Sequence, residues 1–303
     1  MKILVTGSTG LVGNALVSDL RRAGHIVCRL VRPTTMVETH TVPEGFDVKW
    51  NPATGELGGV AVGADAVVNL AGAPIAEGRW TPERKKLLRT SRVESTAILV
   101  KALAKMAARP RVLISASAIG YYGSRGDEIL TEESEPGGDF LGGLANEWEA
   151  EARKAEVLGI RVVLARFGIV LAREGGALPV MARPFRLGVG GRIGSGEQWM
   201  SWITLDDVLG ILRFALENGA VRGPVNVVSP SPVRNVEFTY ALAKALHRRA
   251  LFPAPAFALR LLLGEMADAL LLSSQRVIPE RLQRLDYSFG QSDLAATLAS
   301  MRA

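Results

Sequence analysis

The sequence contains few of the residues that disulfides, metal sites and hydrolytic triads require. Its single cysteine, Cys28, cannot form an internal disulfide and lies in an apolar run, where a buried thiol is expected. The three histidines, His25, His40 and His247, are far apart and show no metal-ligand spacing. We therefore expect neither a metal site nor a Ser-His-Asp hydrolase.

Long hydrophobic runs are also missing. The one long apolar tract begins at Leu251 and is interrupted by Arg260, Glu265 and Asp268, whereas a bilayer span needs about 20 largely uncharged residues. The N-terminal string MKILVTG reaches a glycine too early to form the apolar core of a signal peptide. The sequence therefore predicts a cytoplasmic protein with no membrane partner.

Positive charge is in modest excess. The formal net charge is +6 and the isoelectric point is near 9.7, a balance that suits nucleic acid, a membrane surface or an anionic small molecule. The basic residues are dispersed along the chain and do not form the clustered stripe of a nucleic-acid site. We therefore expect no nucleic-acid partner.

The composition and the chain order indicate an α/β protein. Apolar residues make up 48% of the 303 residues and charged residues 22%, which is typical of a chain with a large core. Short β-branched runs alternate with longer helical patterns. The predicted strands are Lys2–Thr6, Ile26–Val31, Asp47–Trp50, Ala66–Leu70, Val112–Ser115 and Arg161–Arg166, and the predicted helices are Leu11–Ala23, Pro82–Ala108 and Leu141–Leu158. This alternation predicts a Rossmann-type, doubly wound parallel sheet.

The pattern changes after Arg166. A Gly/Pro-rich segment runs from Gly175 to Gly196, and a mainly helical tail begins at Val236. We predict that residues 1–170 form a dinucleotide-binding Rossmann domain whose sheet is completed by residues 197–230. Residues 171–196 and 231–303 are predicted to form a small C-terminal subdomain that covers the substrate.

A glycine motif joins the first strand to the first helix. Within TGSTGLVG, Gly7 permits the tight turn, Gly10 lets the backbone approach a pyrophosphate, and Gly13 lets the helix pack close to the sheet. The helix N-terminus offers free N–H groups to the phosphates. The strand-loop-helix context predicts a dinucleotide site. The residues expected to contact the cofactor here are Gly7, Thr9, Gly10, Leu11, Val12 and Gly13.

The end of the second strand predicts which dinucleotide binds. NAD enzymes usually place an acid about 20 residues beyond the glycines, where it accepts from the ribose 2′-hydroxyl. Here Arg32 occupies that place, and the next acid is Glu38. A guanidinium suits a 2′-phosphate, so we predict NADP(H) in preference to NAD(H). The alternative is that Arg32 is a solvated loop residue.

Several strings resemble known reductases. The G-x-x-G-x-x-G spacing, the string NLAG after the fourth strand and SASAIGYYG after the fifth resemble the short-chain dehydrogenase/reductase superfamily. Longer strings, among them RWTPERKKLLRTSRVEST and GGALPVMARPFRLGVGGRIGSGEQWMSWIT, resemble the atypical extended members labelled nucleoside-diphosphate-sugar epimerase-like proteins. This resemblance covers essentially the whole chain. It implies an NADP(H)-binding Rossmann domain closed by a small C-terminal subdomain, but no particular substrate.

The resemblance also implies further cofactor contacts. They are expected at Asn69, Leu70, Ala71, Gly72, Arg92 and Arg166. For Arg92 the alternative is a solvated position on a helix.

The usual catalytic pair is missing. Typical members of the superfamily carry Tyr-x-x-x-Lys on the helix after the serine strand, where the lysine lowers the tyrosine pKa for proton exchange. Here the corresponding string FLGGL places Phe140 and Leu144 at those positions. The string YALAK, with Tyr240 and Lys244, has the spacing but lies in the tail, so we expect a half-buried helix there.

Three residues in the loop after the fifth predicted strand are candidates for proton transfer: Ser117, Tyr121 and Tyr122. The alternative is that they only shape the cofactor pocket. Asp206 and Asp207 precede a helical run and are expected to act as helix caps.

The string GGRIGSGEQWMSW predicts a wall for the substrate. Arg192, Gln198, Trp199 and Trp202 could hold an anionic or planar group. The alternative is a hairpin loop whose tryptophans pack in the subdomain core, and Trp148 is likewise expected in a core.

The sequence thus predicts an NADP(H)-dependent oxidoreductase or epimerase-like protein that acts by hydride transfer on a small organic substrate. Compounds that resemble sugar nucleotides are among the substrates considered. The protein is expected to be a monomer or a homodimer. The missing pair keeps open an alternative from another class, a non-catalytic NADPH-binding sensor.

Overall fold

The computed structural model describes residues 1–31, 47–51, 54–55 and 63–301. The strands are β1 Lys2–Thr6, β2 Ile26–Val31, β3 Asp47–Lys49, β4 Ala66–Asn69, β5 Val112–Ala118, β6 Ile129–Leu130, β7 Arg161–Phe167, β8 Ile169–Leu171, β9 Trp199–Met200, β10 Trp202–Thr204, β11 Gly223–Val227, β12 Val233–Arg234 and β13 Arg276–Val277. The α helices are α1 Leu11–Arg22, α2 Pro82–Arg89, α3 Ser95–Ala104, α4 Phe140–Arg153, α5 Ala177–Arg186, α6 Leu205–Glu217, α7 Asn235–Ala245, α8 Ala256–Leu263, α9 Glu280–Arg284 and α10 Leu294–Met301.

Seven parallel strands form the central sheet, in the order β11-β7-β5-β4-β1-β2-β3. All four residues of β4 are buried, as expected for a parallel strand covered by helices on both faces. The predicted doubly wound α/β fold is confirmed. Within the range predicted to complete the sheet, β11 joins it, whereas β9 and β10 pair with β12 and β8.

Two apolar cores cover the two faces of this sheet. On one face, residues such as Leu16 of α1 and Leu212 of α6 pack against β1 and β5. On the other face, Leu99 of α3 and Ala152 of α4 pack against neighbouring strands. Cys28 is buried in this second core, as predicted, and burial raises the pKa of its thiol.

The strand order reverses at β1, which has β2 on one side and β4 on the other. Ligands of such sheets bind outside the carboxyl ends of the strands at this switch point. Thr6, the last residue of β1, accepts hydrogen bonds from the N–H groups of Leu70 and Ala71, 3.1 and 3.2 Å away. The loop after β4 is therefore fixed against the end of β1.

The long helix predicted over residues 82–108 contains a π-helical turn. Thr81 caps α2 by accepting from the N–H of Arg84, and Pro82 follows at the first helical position. Residues Thr90–Glu94 form the π turn before α3 begins. Such turns are common at functional sites because they displace side chains from the regular helical face. Here the turn carries Arg92.

A third core holds the later segments together. Phe185 of α5, Trp202 of β10, Phe238 and Leu242 of α7, and Leu298 of α10 pack in it. Within the described ranges, no helix is long and apolar enough to cross a membrane.

Candidate functional site

A cleft of about 810 Å³ lies at the switch point. We call one side of the cleft the cofactor wall: it consists of the glycine loop (residues 7–13), residues 70–76, Arg92 and the end of β5 (residues 116–120). We call the other side the distal wall: it consists of α5, Ile193, residues 199–201, Asn235 and residues 269–275. The cleft therefore lies between the Rossmann sheet and the later segments of the chain.

The glycine loop has the close packing that the motif predicts. Gly7 has a positive φ of 65°, and a Cβ there would lie 2.5 Å from the carbonyl oxygen of Leu70. A Cβ on Gly13 would lie 2.2 Å from the carbonyl oxygen of Gly7. At Gly10 a Cβ would meet only that same oxygen, at 3.4 Å. Packing requires glycine at positions 7 and 13, whereas Gly10 leaves space on the side of the loop that faces the cleft.

The N-terminus of α1 opens on the cofactor wall. Its cap residue Gly10 provides no side-chain hydrogen bond, and the first turn contains no acid. Leu11, Val12 and Gly13 line the cleft. Because the first N–H groups of a helix have no intrahelical partner, this end favours an anion. The geometry fits the pyrophosphate of a dinucleotide.

Thr9 lies on the other side of the same loop. It lines a second cavity of about 910 Å³, which shares Gly10, Leu11 and Gly176 with the cleft. Thr9 is therefore placed at the boundary between the two cavities.

The loop after β4 contributes backbone to the cofactor wall. Leu70, Ala71 and Gly72 line the cleft. The side chain of Asn69 is buried instead, where it accepts from the hydroxyl of Thr6 at 2.7 Å and donates to Thr96 Oγ1 at 2.9 Å. This corrects the prediction for Asn69: its side chain holds the strand ends together and does not face the cleft.

Arg92 is a partly buried cation in the cofactor wall. Its Nη2 donates to the carbonyl oxygen of Ala73 at 2.9 Å, and its Cζ lies 5.4 Å from the ring centre of Trp148. Among the described residues no carboxylate pairs with it. Burial, with a smaller contribution from Arg84, lowers the pKa of Arg92 to about 10. It is therefore not a solvated helix residue, and an anionic ligand would complete its surroundings.

Ser117 lies near the end of β5 and lines the cleft. Its Oγ donates to Glu149 Oε1 at 2.7 Å, and both residues are buried. Glu149 accepts two further bonds from Arg166, each 2.8 Å long. Arg166 is buried below the cofactor wall and does not line the cleft. This corrects the prediction that Arg166 contacts the cofactor: the pairing with Glu149 occupies its guanidinium.

The two tyrosines after β5 are outside the cleft. Tyr122 is fully buried, donates to Asn226 Oδ1 at 2.6 Å and accepts from Arg166 at 2.9 Å, and burial raises its pKa. The ring of Tyr121 lies 3.5 Å from the Cζ of Arg166. Burial also raises the pKa of Tyr121. The prediction of a catalytic role is corrected for Tyr122, because its phenol is fully buried and bonded to Asn226 and Arg166. For Tyr121 that role stays a prediction.

The helix after β5 presents an apolar face to the cleft. The α4 residues that line it are Leu141, Leu144, Ala145 and Trp148. Phe140 packs edge-on against Trp80, and Trp148 is buried with its Nε1 donating to Thr96. Tyr240 and Lys244 lie on α7 and do not line the cleft, and Tyr240 is exposed. Within the described ranges no tyrosine or lysine lines the cleft.

The predicted substrate residues lie mainly outside the cleft. Gln198 is buried and donates to the carbonyl oxygens of Ile193 and Leu271. Trp202 is fully buried and donates to the carbonyl oxygen of Ser231. Arg192 is exposed and does not line the cleft. The predictions for these three are corrected, because the first two pack inside the subdomain and the third faces solvent.

Other residues form the distal wall and were missed by the sequence analysis. They include Met181, Leu270, Leu271 and Ser273, whereas Trp199, which also lines the cleft, belongs to the string predicted to form the substrate wall. Glu149 was also missed. Apolar residues in a helical pattern usually indicate a core, and a glutamate in a helix usually indicates a solvated face. The sequence therefore contained no signal that marked these residues as part of a site.

The acids at the start of α6 have a structural role. Thr204 caps the helix by accepting from the N–H of Asp207. Asp207 is buried and accepts from the N–H groups of Gly290 and Gln291 at 2.6 and 3.1 Å. These bonds attach the C-terminal segment to α6. Asp206 lines the second cavity.

Comparison with known proteins finds a match to a family of epimerases and dehydratases. The NAD dependent epimerase/dehydratase family matches residues 3–228, and a domain of unknown function (DUF1731) matches residues 254–301. The epimerase family protein Mb2239 of Mycobacterium bovis is 42% identical over 299 residues, covering 98% of this chain and 96% of that protein. The chloroplastic epimerase family protein SDR39U1 homolog of Arabidopsis thaliana is 40% identical, covering 95% of this chain and 83% of that protein.

Solved structures have the same fold. The human epimerase family protein SDR39U1 (isoform 2), solved with NADPH, matches with a TM-score of 0.87 and 36% identity over 100% of this chain and 99% of that chain. UDP-glucuronic acid 4-epimerase from Bacillus cereus, solved with UDP-glucuronic acid and NAD, matches with a TM-score of 0.78 and 18% identity over 100% of this chain and 98% of that chain. At 18% identity this second similarity shows the fold alone.

Proposed function

The chain belongs to the NAD-dependent epimerase/dehydratase family, and on that premise we propose that it binds NADP(H) and exchanges hydride with a small organic substrate in the cleft. One observation carries the proposal. The uncapped N-terminus of α1 opens on the same cleft as Ser117 and Arg92. A site for an anionic dinucleotide thus lies beside a buried polar group at the end of β5.

The choice of NADP(H) has two supports. The human relative was solved with NADPH and is 36% identical to this chain. The sequence places Arg32 where an acid would bind the ribose of NAD, and Arg32 lies outside the described residues. Neighbours such as the Bacillus epimerase were solved with NAD, so the preference rests on Arg32 and on the human relative.

The residues of the cofactor wall have separable roles in this proposal. The N–H groups at the start of α1 would hold the pyrophosphate, and the backbone of residues 70–72 would contact a ribose. Arg92 would supply positive charge to a phosphate or a ribose oxygen. The nicotinamide, when bound, supplies or accepts the hydride.

Ser117 would orient the reacting oxygen. Its hydroxyl hydrogen is donated to Glu149, so only its lone pairs are available toward the cleft. It can therefore accept a hydrogen bond from a substrate hydroxyl. Glu149 fixes the serine, and Arg166 fixes Glu149 through two bonds. We propose Ser117 as the catalytic residue, with Glu149 and Arg166 as positioning residues.

A second function is favoured by the apolar face of α4. Leu144 lines the cleft at the position where the superfamily carries its lysine. A protein that binds NADPH without turnover and reports its level to a partner fits that lining as well. The enzyme and the sensor differ in one measurable property, which is substrate-dependent oxidation of NADPH.

The test uses the purified protein, NADPH and a panel of carbonyl compounds, followed by the near-ultraviolet absorbance of the reduced nicotinamide. We expect substrate-dependent loss of this absorbance. Ser117→Ala is expected to lower kcat by roughly 5- to 10-fold, the effect of losing one neutral hydrogen bond that orients the reacting oxygen. Ser18→Ala, on the exposed face of α1, is the control and leaves kcat unchanged. NADPH binding with no oxidation across the panel would favour the sensor.

A further inference from the structure

The distal wall is apolar. Among its lining residues are Met181 of α5, Ile193, Leu270 and Leu271. Of the described residues that line the cleft on either wall, Arg92 alone carries a charge. Arg92 belongs to the cofactor wall, where it lies against Gly72 and hydrogen-bonds the carbonyl oxygen of Ala73. Within the described part of the chain, the region of the cleft left for a substrate therefore offers no charged side chain.

Most polar side chains of the distal wall are already bonded to the protein. Ser201 donates to the carbonyl oxygen of Gln275 at 2.8 Å. Asn235 accepts from the N–H of Ile193 at 2.8 Å. Gln275 donates to the carbonyl oxygens of Ile119 and Gly123 at 3.1 and 3.2 Å. These groups shape the wall, and their main bonds are directed away from a ligand.

Ser273 differs from them. The residue lines the cleft, and its Oγ is buried and has no hydrogen-bond partner among the described residues. A buried polar group without a partner is uncommon and calls for an explanation such as a missing ligand. The adjacent bonds of Gln275 attach this segment to the turn that follows β5. The segment that carries Ser273 therefore lies against the turn that follows the strand of Ser117.

Arginines near the rim do not alter this arrangement. Arg234 and Arg276 lie 4.7 and 4.4 Å from the ring centre of Trp199, but neither lines the cleft. Arg234 is paired with Asp127 and Glu197 at 3.0 and 3.3 Å. A diphosphate is held best by cationic groups, and among the described residues that line the cleft the cation is Arg92 of the cofactor wall.

We propose that the substrate is an uncharged, mostly apolar carbonyl compound, or the corresponding alcohol, whose oxygen hydrogen-bonds to Ser273, and that it is not a sugar nucleotide. This inference rests on the function proposed above and names its substrate class. In the reduction, the carbonyl carbon receives hydride from NADPH and its oxygen takes up one H⁺ from the solvent. The products are the alcohol and NADP⁺.

Calorimetric titration of the NADP⁺-loaded protein tests the binding. The probes are 2-naphthaldehyde, decanal and UDP-glucose. We expect at least one aldehyde to bind at least about 10-fold more tightly than UDP-glucose. The described residues of the distal wall that line the cleft are mainly apolar and none is charged, so burial of apolar surface is favourable there and burial of a diphosphate is not. Ser273→Ala is expected to weaken that binding by roughly 5- to 10-fold, the effect of one neutral hydrogen bond. The Kd of NADPH stays unchanged in this variant, and Ser18→Ala changes neither constant.

The outcomes separate this inference from the proposed function. If an aldehyde binds through Ser273 but NADPH is not oxidised, the substrate class stands and turnover fails. If UDP-glucose binds more tightly or is turned over, the substrate class is wrong while an enzymatic function remains. Failure of both aldehydes to bind, or an unchanged aldehyde Kd in Ser273→Ala, would also overturn it.

Discussion

Arg166 and Glu149 form a bidentate ion pair in which both side chains are buried, with Nε–Oε1 and Nη2–Oε2 distances of 2.8 Å. The pair lies directly behind Ser117, because Ser117 of β5 and Arg166 of β7 are register partners in the sheet. On the other side of β7, Arg166 is the partner of Asn226. Through Glu149, which accepts from Ser117, and Tyr122, which donates to Asn226, Arg166 links the ends of three neighbouring strands.

Removing one charge of this pair should destabilise the protein strongly. In Glu149→Gln the guanidinium of Arg166 stays buried without a counter-charge, which typically costs about 3–5 kcal/mol of unfolding free energy. Urea unfolding measures the loss. The double variant Glu149→Gln/Arg166→Met should lose less than the sum of the two single variants, because it removes the unpaired charge. Additive losses would show that the two side chains are not coupled.

The phenol of Tyr122 should make stability depend on alkaline pH. Burial raises the folded-state pKa of Tyr122 above its ordinary value near 10, so the neutral phenol stabilises the fold below about pH 10. That contribution falls as pH rises further, because only the unfolded chain then releases the proton. In Tyr122→Phe the acceptor on Asn226 loses its donor, which costs about 1–3 kcal/mol at neutral pH.

Urea unfolding from neutral pH to about pH 11 would check this behaviour. The difference in unfolding free energy between the parent and Tyr122→Phe should shrink as pH rises. A constant difference over the whole range would mean that Tyr122 does not contribute to the alkaline decline.

The sequence predicted the parts of the site that backbone geometry determines. The glycines of the first loop have the spacing that a closely packed strand-turn-helix requires. The roles of Gly7 and Gly13 could therefore be predicted from the sequence. Arg166 could not be placed in the same way. Its partner Glu149 is 17 residues earlier on a helix, and each residue by itself is typical of an exposed position.

The tryptophans show a related ambiguity. An aromatic residue beside glycines suits both a binding loop and a core, and only tertiary packing decides. Trp202 is in the core and Trp199 lines the cleft, although only three positions separate them. The distal wall, including Ser273, is composed of segments that meet only in the folded chain.

Arg92 should contribute to cofactor affinity without stabilising the ligand-free fold. Burial lowers its pKa to about 10, so at neutral pH the folded protein holds a cation that would be better solvated in the unfolded chain. We expect Arg92→Met to weaken NADPH binding by about 10-fold or more, the value of a charge-assisted hydrogen bond. The unfolding free energy of the ligand-free variant should not fall by more than about 1 kcal/mol.

Thermal unfolding with and without NADPH separates the two effects. The control is Arg89→Met on the same helical segment, where the arginine is half-exposed and pairs with Glu147. This control should retain the full stabilisation by NADPH. Equal loss of NADPH affinity in both variants would remove the argument for Arg92.

The cofactor preference should depend on Arg32. A guanidinium beside a 2′-phosphate forms charge-assisted bonds that NADH cannot provide. Arg32→Ala is therefore expected to weaken NADPH binding by about 10-fold or more and to leave NADH binding nearly unchanged. Fluorescence titration of both cofactors measures this, with Arg22→Ala on the exposed end of α1 as the control. Equal weakening of both cofactors would contradict the preference.

Gly13 should tolerate no side chain, because its Cβ would lie 2.2 Å from the carbonyl oxygen of Gly7 and 2.9 Å from the Cα of Ser8. Both contacts are with backbone, so the glycine loop must shift to admit a methyl group. Gly143→Ala on α4 is the matched control, since a Cβ there meets no atom within 4 Å. In both helices alanine gains about 0.5–1 kcal/mol over glycine from backbone entropy.

The two variants should therefore move in opposite directions. Gly143→Ala should raise the unfolding free energy by about 0.5–1 kcal/mol. Gly13→Ala should lower the unfolding free energy. It should also abolish stabilisation by NADPH, because the N–H groups at the start of α1 no longer face the pyrophosphate together. Chemical unfolding and thermal shift with NADPH measure the two quantities. If Gly13→Ala is as stable as Gly143→Ala and still binds NADPH, the close packing of the loop is not what positions the cofactor.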